Sequence, residues 1–181
     1  MIITNYIRSN HPGFQPRVII HVGAHRGQEM AEYEKLEPSN VIWIDAVPDH
    51  IPYWNERREN LSLHRQPKHS YLVGLLAGHD YVKRDFFSFS NKGGASSMYT
   101  GTEKLYKTWT SVKETGDKKI IESITLDTLL SMNGVPCQDV DILVIDVQGA
   151  ELECLRGAVK TIKNARFVEV ETSREEIYNG G

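Results

Sequence analysis

A short apolar run that leads into a glycine-containing turn is the feature that most constrains the fold of this chain. Residues Val18–Val22 are rich in β-branched apolar side chains, which is typical of a strand buried on both faces of a parallel sheet. Gly23 and Gly27 follow, and apolar residues then recur at helical spacing over residues 28–36. This order predicts the opening of a nucleotide-type βαβ unit, with a cofactor lying across the turn at the carboxyl end of the strand.

The residues of the turn also bear on which cofactor it could hold. A dinucleotide fingerprint, G-x-G-x-x-G, needs its second glycine so that the backbone can approach a pyrophosphate. His25 stands at that position, and a side chain there hinders close approach of a phosphate. S-adenosylmethionine carries an adenosine and an amino acid but no phosphate, so it tolerates the change. A cofactor-binding turn and an ordinary strand–helix turn without a ligand both remain open at this point.

The composition fits one globular domain. The chain has 181 residues, enough to bury a sizeable core. A net charge of −3 argues against a protein built around nucleic acid, and no apolar run approaches the roughly 20 residues that cross a bilayer. Two cysteines cannot make a disulfide framework, nothing resembles a metal-ligand cluster, and the first residues lack the layout of a signal peptide. We therefore expect a cytoplasmic protein without a membrane span or a metal site.

Acidic residues follow three of the predicted strands. Asp45 comes 22 residues after Gly23, close to the distance at which nucleotide-binding α/β folds hold the ribose hydroxyls with a carboxylate. Asp146 ends the clearest buried run of the chain, and Glu171 ends the last strand-like run. Because parallel strands end at one edge of a sheet, we expect the three acids to share a site, although a helix cap or a solvated acid would explain any one of them.

The remaining segments alternate between helix and strand patterns after a lead-in over residues 1–17. Helices are predicted for 28–36 and 48–60, Asp127 is predicted to cap a short helix that ends at Gly134, and one helix after residue 149 is predicted to continue through Gly157. The buried stripe predicted for this last helix consists of Leu152, Leu155, Val159 and Ile162.

The predicted strands follow the same alternation. The weakly periodic stretch between them, from residue 99 to about residue 119, is either a flap that helps form an acceptor pocket or a surface loop with a short helix. The predicted strands are residues 18–22, 41–44, 61–65, 71–76, 86–90, 120–124, 141–146 and 167–171.

Six short segments, in order along the chain, resemble the FkbM family of S-adenosylmethionine-dependent methyltransferases. They read HVGAHRGQE, WIDAVP, GGASS, ITLDTLL, IDVQGAELECLRGA and VETS, and the block over residues 146–151 is the most specific. The resemblance extends from about residue 18 to the C-terminus, so it implies a methyltransferase domain over residues 18–181. The implied fold is the class I methyltransferase fold: Rossmann-like α/β, with a mostly parallel sheet and helices on both faces. The implied reaction is methyl transfer to a hydroxyl of a small molecule or sugar.

The resemblance implies roles for individual residues as well. The glycine turn would surround the methionine part of S-adenosylmethionine, Asp45 would bind the ribose, residues 73–75 would lie near the adenine, and Asp146 would face the acceptor. The implied cofactor-binding residues are His21, Gly23, Ala24, His25, Gly27, Asp45, Ala46, Val73, Gly74, Leu75 and Asp146.

Two features depart from the family pattern. His21 stands where methyltransferases of this class often have an acid, which puts the usual contact to the cofactor's amino group in doubt. The chain also stops ten residues after Glu171, where the fold normally continues with a helix and an antiparallel strand pair. We therefore expect that pair to be missing, either because the gene is truncated or with a partner covering the exposed edge.

The chemistry of the reaction sets what the protein must supply. A sulfonium methyl is already activated, so the protein has to hold the acceptor oxygen in line behind it and take its proton. The catalytic candidates are Asp146 first, Glu171 second and His25 third. The competing interpretations are a protein that binds the cofactor without catalysis and a nicotinamide-dependent oxidoreductase, which His25 disfavours. We expect a small-molecule or sugar acceptor, no nucleic acid, no membrane contact and possible homo-oligomers.

Overall fold

The computed structural model describes residues 3–60 and 68–181 of the chain. Within these residues eight strands and seven α-helices follow one another. The strands are β1 (Val18–Val22), β2 (Asn40–Asp45), β3 (Lys68–Val73), β4 (Leu75–Leu76), β5 (Lys83–Phe89), β6 (Glu114–Ile124), β7 (Val140–Ile145) and β8 (Phe167–Val170). The helices are α1 (Ile3–Asn10), α2 (Met30–Glu34), α3 (Ile51–Glu59), α4 (Glu103–Thr108), α5 (Leu126–Met132), α6 (Glu151–Arg156) and α7 (Val159–Asn164), with short 3₁₀ turns at Pro48–His50 and Cys137–Asp139.

Five strands form a parallel sheet in the order β3-β2-β1-β7-β8. The chain runs outward from β1 to β3 and then returns to the other side of β1, so the strand order reverses between β1 and β7. Val22 at the end of β1 is in register with Ile44 of β2 and with Ile145 of β7. This register brings the residues that follow the three strands to one edge, at the reversal point where open α/β sheets bind ligands.

The two faces of this sheet are covered by different helices, as expected. Ile20 and Val22 point to a core that includes Leu130 of α5 and Cys154 of α6. Ile19, on the opposite face, belongs to a second core with side chains from α1, α2 and α3. All five residues of β1 are buried, which explains why its sequence is apolar almost throughout rather than alternating.

A second, smaller sheet has the order β4-β6-β5 and stands beside the end of β3. Its long pair, β5 and β6, is antiparallel. The single strand predicted over 71–76 is divided at Gly74, because β3 pairs with β2 whereas β4 pairs with β6. The strand predicted over 120–124 begins earlier, at Glu114. The strand predicted over 61–65 lies outside the described residues.

The N-terminal lead-in contains a helix that the sequence analysis did not predict. Residues Ile3–Asn10 form α1, whose buried residues Ile3 and Ile7 pack into the second core. Their spacing of four is a helical signal, but turn-forming residues after position 9 obscured it.

The cap of α5 is Thr125 and not Asp127, contrary to the prediction. Thr125 Oγ1 accepts the backbone N–H of Thr128 at 3.2 Å. The Asp127 carboxylate instead accepts the backbone N–H groups of Lys160 and Thr161, at 2.7 and 3.0 Å, and so caps α7. The residue type was typical of a cap, but the helix it caps lies more than 30 positions further along the chain.

The helix predicted after residue 149 is two helices, α6 and α7, separated at Gly157. A Cβ at position 157 would lie 2.2 Å from the carbonyl oxygen of Ala77, so glycine is required by close packing. The predicted stripe is partly wrong, because Leu152 is 58% exposed and Val159 is 50% exposed. Leu155 and Ile162 do pack against the first core.

Strand β8 is an edge of the parallel sheet, and within residues 3–60 and 68–181 no antiparallel pair lies beside it. Over the same two ranges, the helices are too short or too polar to pass through a bilayer.

Candidate active site

A cleft of about 540 Å³, including the solvent-filled space at its opening, lies at the carboxyl ends of β1, β2 and β7. This volume is in the range of small-molecule sites. The structure brings seven of the predicted site residues to its wall, namely Gly23, His25, Asp45, Ala46, Gly74, Leu75 and Asp146.

The glycine turn packs directly against the backbone that follows β7. Gly23 has a φ of +79°, and a Cβ there would lie 1.6 Å from the carbonyl oxygen of Asp146. The N–H groups of Gly23 and Ala24 both donate to the carbonyl of Ile44, at 2.9 and 3.1 Å. The turn is therefore tied to strands on both of its sides, and only glycine permits this approach.

Asp45 is a nearly buried carboxylate whose two oxygens are oriented by the backbone. Oδ2 accepts the N–H of His25 at 2.7 Å, and Oδ1 accepts the N–H of Val47 at 2.8 Å. The side chain is 11% exposed, and His50 Nδ1 lies 3.3 Å from Oδ2. Since each carboxylate oxygen can accept about two hydrogen bonds, Asp45 keeps acceptor capacity toward the cleft.

The His25 ring is held in a single tautomer. Arg26 N–H donates to Gln28 Oε1, which turns the Gln28 amide nitrogen toward His25 Nδ1 at 2.9 Å. Nδ1 is therefore the acceptor, and Nε2–H donates to the carbonyl of Lys92 at 3.1 Å. Burial lowers the pKa of His25. A ring with both nitrogens occupied has to break a hydrogen bond before it can accept a proton, so its geometry suits orientation of the turn better than base chemistry.

Asp146 and Glu171 form a carboxylate pair that is bridged by one amide. The two protons of Gln148 Nε2 point to Asp146 Oδ1 at 2.5 Å and to Glu171 Oε2 at 3.3 Å. Burial, followed by the hydrogen bond and charge of Glu171, raises the pKa of Asp146 to about 8. Because Asp146 is buried and stands beside a second carboxyl group, it holds its proton near neutral pH.

Several residues around this pair were not predicted. Gln148 has a φ of +55°, Ser97 Oγ donates to its carbonyl at 2.6 Å, and the Tyr178 hydroxyl donates toward its Oε1 at 3.0 Å. The loop over residues 91–98 thus closes one side of the cleft. The GGASS and DVQG segments carried a signal, because both belong to the family resemblance, whereas nothing in the sequence pointed to Tyr178.

Four predicted cofactor contacts lie away from the cleft wall. His21 is buried with its ring on Trp43, and burial lowers its pKa to about 4. Ala24 belongs to the second core, Gly27 packs against Trp54, and Val73 is 44% exposed. Glu171 does not line the cleft; it is bonded to Gln148 beside Asp146 and lines two neighbouring grooves instead.

The charge of the cleft is negative. Asp45 ends β2 and Asp146 follows β7, the strands on either side of β1, and no Lys or Arg occurs among the described residues that line the cleft. In the part of the chain that the structure describes, no three His, Cys, Asp or Glu residues are grouped so that they could hold a metal ion. This cleft favours a cationic ligand over an anionic one.

Comparison with known proteins agrees with this architecture. Residues 21–180 match the Methyltransferase FkbM domain. The chain belongs to the FkbM methyltransferase family. A 60-residue segment is 35% identical to the 2-O-methyltransferase NoeI of Sinorhizobium fredii (strain NBRC 101917 / NGR234), and this segment is 33% of the chain and 24% of the relative.

The FkbM fold is also found in a solved structure. A crystal structure of Methyltransferase FkbM from Methylobacillus flagellatus KT superposes with a TM-score of 0.54 at 12% identity, covering 91% of this chain and 35% of that one. The expected α/β fold with a mostly parallel sheet is therefore confirmed. The chain spans about a quarter of the curated relative and about a third of the solved one.

Proposed function

We propose that this chain binds S-adenosylmethionine and transfers its methyl group to a hydroxyl of a small molecule or sugar. The observation that carries the proposal is the charge and position of the cleft. The Asp45 carboxylate lies on one side of the glycine turn, and Asp146, which is mostly protonated at pH 7 but stands beside Glu171, lies on the other; no Lys or Arg occurs among the lining residues described. A sulfonium and an ammonium group are stabilised by such a field, whereas the diphosphate of a nicotinamide cofactor is repelled by it.

The residues present fit the parts of this cofactor. The turn that begins at Gly23 offers a wall without side-chain bulk, and the Asp45 carboxylate can accept from ribose hydroxyls with its remaining lone pairs. Leu75 and Phe86 are buried apolar residues that line the same cleft, and they would pack against an adenine ring.

The bound cofactor supplies an activated methyl group. The chain has to hold the acceptor hydroxyl in line and remove its proton. Asp146 lines the cleft, and its ionised form is the acceptor for that proton. Gln148 fixes the Asp146 carboxylate, and Glu171 raises its proton affinity, so the carboxylate is a stronger base than an exposed aspartate.

Calorimetric titration with S-adenosylhomocysteine and with NAD tests the cofactor. We expect binding of the former and none of the latter. Binding of NAD alone, or of neither compound, would refute the proposal. A panel of hydroxylated acceptors, assayed for methyl transfer, then separates an enzyme from a protein that only binds the cofactor.

Asp146→Asn tests the proposed base. The amide cannot take the proton, so turnover should fall at least about a hundredfold, while the affinity for S-adenosylhomocysteine stays within a few fold. Asp139→Asn is the control, because Asp139 is a half-buried acid that pairs with Arg17 and does not line the cleft. Equal losses of turnover and cofactor affinity in Asp146→Asn would assign Asp146 to binding instead.

A further inference from the structure

Gln148 can hold the Asp146 carboxylate only if its own side-chain amide is held in one direction. The amide nitrogen donates to Asp146 Oδ1 at 2.5 Å, and the Tyr178 hydroxyl lies 3.0 Å from the amide oxygen. We propose that Tyr178 is a positioning residue of the methyl-transfer reaction, because it keeps the Gln148 amide turned so that an N–H and not the C=O faces Asp146. This inference rests on the proposed function.

The two ends of a glutamine amide have nearly the same shape but opposite hydrogen-bonding character. The nitrogen donates two hydrogen bonds, whereas the oxygen only accepts. If the Gln148 amide turned over, its oxygen would face the carboxyl oxygens of Asp146 and Glu171, and an ionised carboxylate cannot donate to it. The direction of the amide therefore decides whether the ionised form of Asp146 is stabilised.

The Tyr178 hydroxyl favours the observed direction of the amide because it is a donor. Among the described residues its two hydrogen-bond partners are the Gln148 amide oxygen at 3.0 Å and the backbone carbonyl of Ala95 at 3.2 Å, so the shorter contact is with Gln148. With the amide turned over, the amide oxygen would lose this donor. Burial raises the pKa of Tyr178 well above its ordinary range, so the hydroxyl keeps its proton while Asp146 titrates.

The Tyr178 ring is fixed by contacts with segments far from it in the chain. It is buried in a small apolar core that contains Phe89, and its backbone forms an antiparallel bridge with Gly101. A Cβ at Gly149 would lie 2.8 Å from the Tyr178 side chain, so the residue after Gln148 runs directly against the ring. The hydroxyl therefore reaches the Gln148 amide from a rigid support.

Other titratable groups also lie around Asp146, and they come from several elements. Burial and the neighbouring carboxyl groups raise the pKa of Asp146, whereas the hydrogen bond from Gln148 lowers it. Tyr178→Phe changes none of the neighbouring charges, because the hydroxyl that it removes is uncharged. A shift of the Asp146 titration in this variant therefore reports the hydrogen bond from Gln148. The groups are His21 of β1, Glu29 and Tyr33 at α2, Glu151 of α6, Glu169 of β8 and Glu171 after β8.

The pH profile of kcat is the first test. In Tyr178→Phe the Gln148 amide loses a partner, so the Asp146 carboxylate is less stabilised. We expect the inflection to move about half a unit to one unit above the wild-type value of about 8. Turnover at pH 7 should then fall about three- to tenfold and should return nearly to the wild-type value at about pH 9.5.

Tyr106→Phe is the matched control for this test. The Tyr106 ring packs against the same small core as Tyr178, but its hydroxyl donates to Glu114 Oε1 at 2.8 Å. Its inflection should match the wild type. If Tyr178→Phe lowers turnover by the same factor at every pH, or leaves the profile unchanged, Tyr178 has no positioning role and the inference is wrong.

A double-mutant comparison tests whether Tyr178 acts through Gln148. Gln148→Met keeps the approximate length of the side chain without the amide, and by itself it should raise the inflection at least as far as Tyr178→Phe does. Adding Tyr178→Phe to Gln148→Met should cause no further shift. An equal further shift in that background, or no shift in Gln148→Met alone, would overturn the inference.

Nuclear magnetic resonance of the side-chain amide of Gln148 supplies a readout without turnover. Its signals, assigned by their absence from Gln148→Met, should titrate with a midpoint at about pH 8 in the wild type and at higher pH in Tyr178→Phe. Equal midpoints would overturn the inference even in an active enzyme. If the protein fails to bind S-adenosylhomocysteine, the proposed function is refuted, while different midpoints would still show that Tyr178 positions Gln148.

Discussion

The raised pKa of Asp146 beside Glu171 makes a testable prediction about the pH dependence of turnover. If Asp146 is the base, it works only when ionised, so the rate of the wild-type enzyme should rise as the pH passes through about 8, the raised pKa of Asp146. Glu171→Gln removes a like charge from the pair and keeps the shape of the side chain. The inflection should therefore move to lower pH.

The geometry sets the size of this shift. Asp146 Oδ1 and Glu171 Oε2 lie 2.5 and 3.3 Å from the same Gln148 nitrogen, so at most about 6 Å separates them. At about 6 Å and an effective dielectric constant of about 20, two charges interact by about 3 kcal/mol, or about two pKa units. Glu171 is exposed to solvent, and screening reduces the shift to about one to two units. Burial of Asp146 still raises its pKa in Glu171→Gln, so we expect the inflection of the variant between about pH 6 and 7.

At pH 7 the change should be visible as a gain of activity. About a tenth of the wild-type Asp146 is ionised there, against about three quarters in Glu171→Gln at a pKa of about 6.5, so turnover should rise about eightfold. The assay is the pH profile of kcat from pH 5.5 to 9.5. Glu169→Gln is the control, because Glu169 stands on β8 but bonds to Ile3, and its profile should match the wild type. Loss of turnover at every pH in Glu171→Gln would refute the reasoning and make Glu171 the base.

Three further substitutions test the binding site and the fold. Asp45→Ala should weaken binding of S-adenosylhomocysteine at least about tenfold, as measured by calorimetry, because it removes the proposed ribose acceptor and unpairs the N–H of His25. Gly157→Ala should lower the free energy of unfolding in urea by about 1–3 kcal/mol, since the new Cβ would meet the carbonyl of Ala77. In His21→Phe the free energy of unfolding should fall less steeply between about pH 6.5 and 4 than it does in the wild-type protein. The pKa of His21 is lowered to about 4 by burial. The free energy of unfolding that depends on neutral His21 is therefore fully present above about pH 6.5, and it is lost as the pH falls toward 4.

Each of these predictions has a specific control or contrary result. Unchanged affinity for S-adenosylhomocysteine in Asp45→Ala would show that Asp45 does not bind the ribose. Asp45→Asn keeps the shape of the side chain and should lose less of that affinity than Asp45→Ala. Gly116→Ala matches Gly157→Ala, because nothing lies within 4 Å of a Cβ there; its positive φ should cost only about 1 kcal/mol. An unaltered slope between pH 4 and 6.5 in His21→Phe would mean that other buried groups, such as His69, cause the acid loss.

Strand periodicity was the part of the fold most readily predicted from sequence. The apolar runs of β1, β2, β7 and β8 are local properties of the chain, and parallel pairing then brings their ends to one edge whatever the details of the loops. The expectation that Asp45 and Asp146 share a site followed from this alone, and both line the cleft. The helix interruption at Gly157 did not follow, because it depends on the carbonyl of Ala77.

The sequence by itself determined the α/β architecture, the glycine turn and the acids at the strand ends, since each is encoded by residue types within one short segment. Only the tertiary structure decided that Gln148 joins two carboxylates, that Tyr178 and the loop 91–98 hold Gln148 in place, and that Asp127 caps a distant helix. These contacts unite segments far apart in the chain. Packing and the need to satisfy buried polar groups determine which residues make these contacts, and no local sequence pattern predicts either of them.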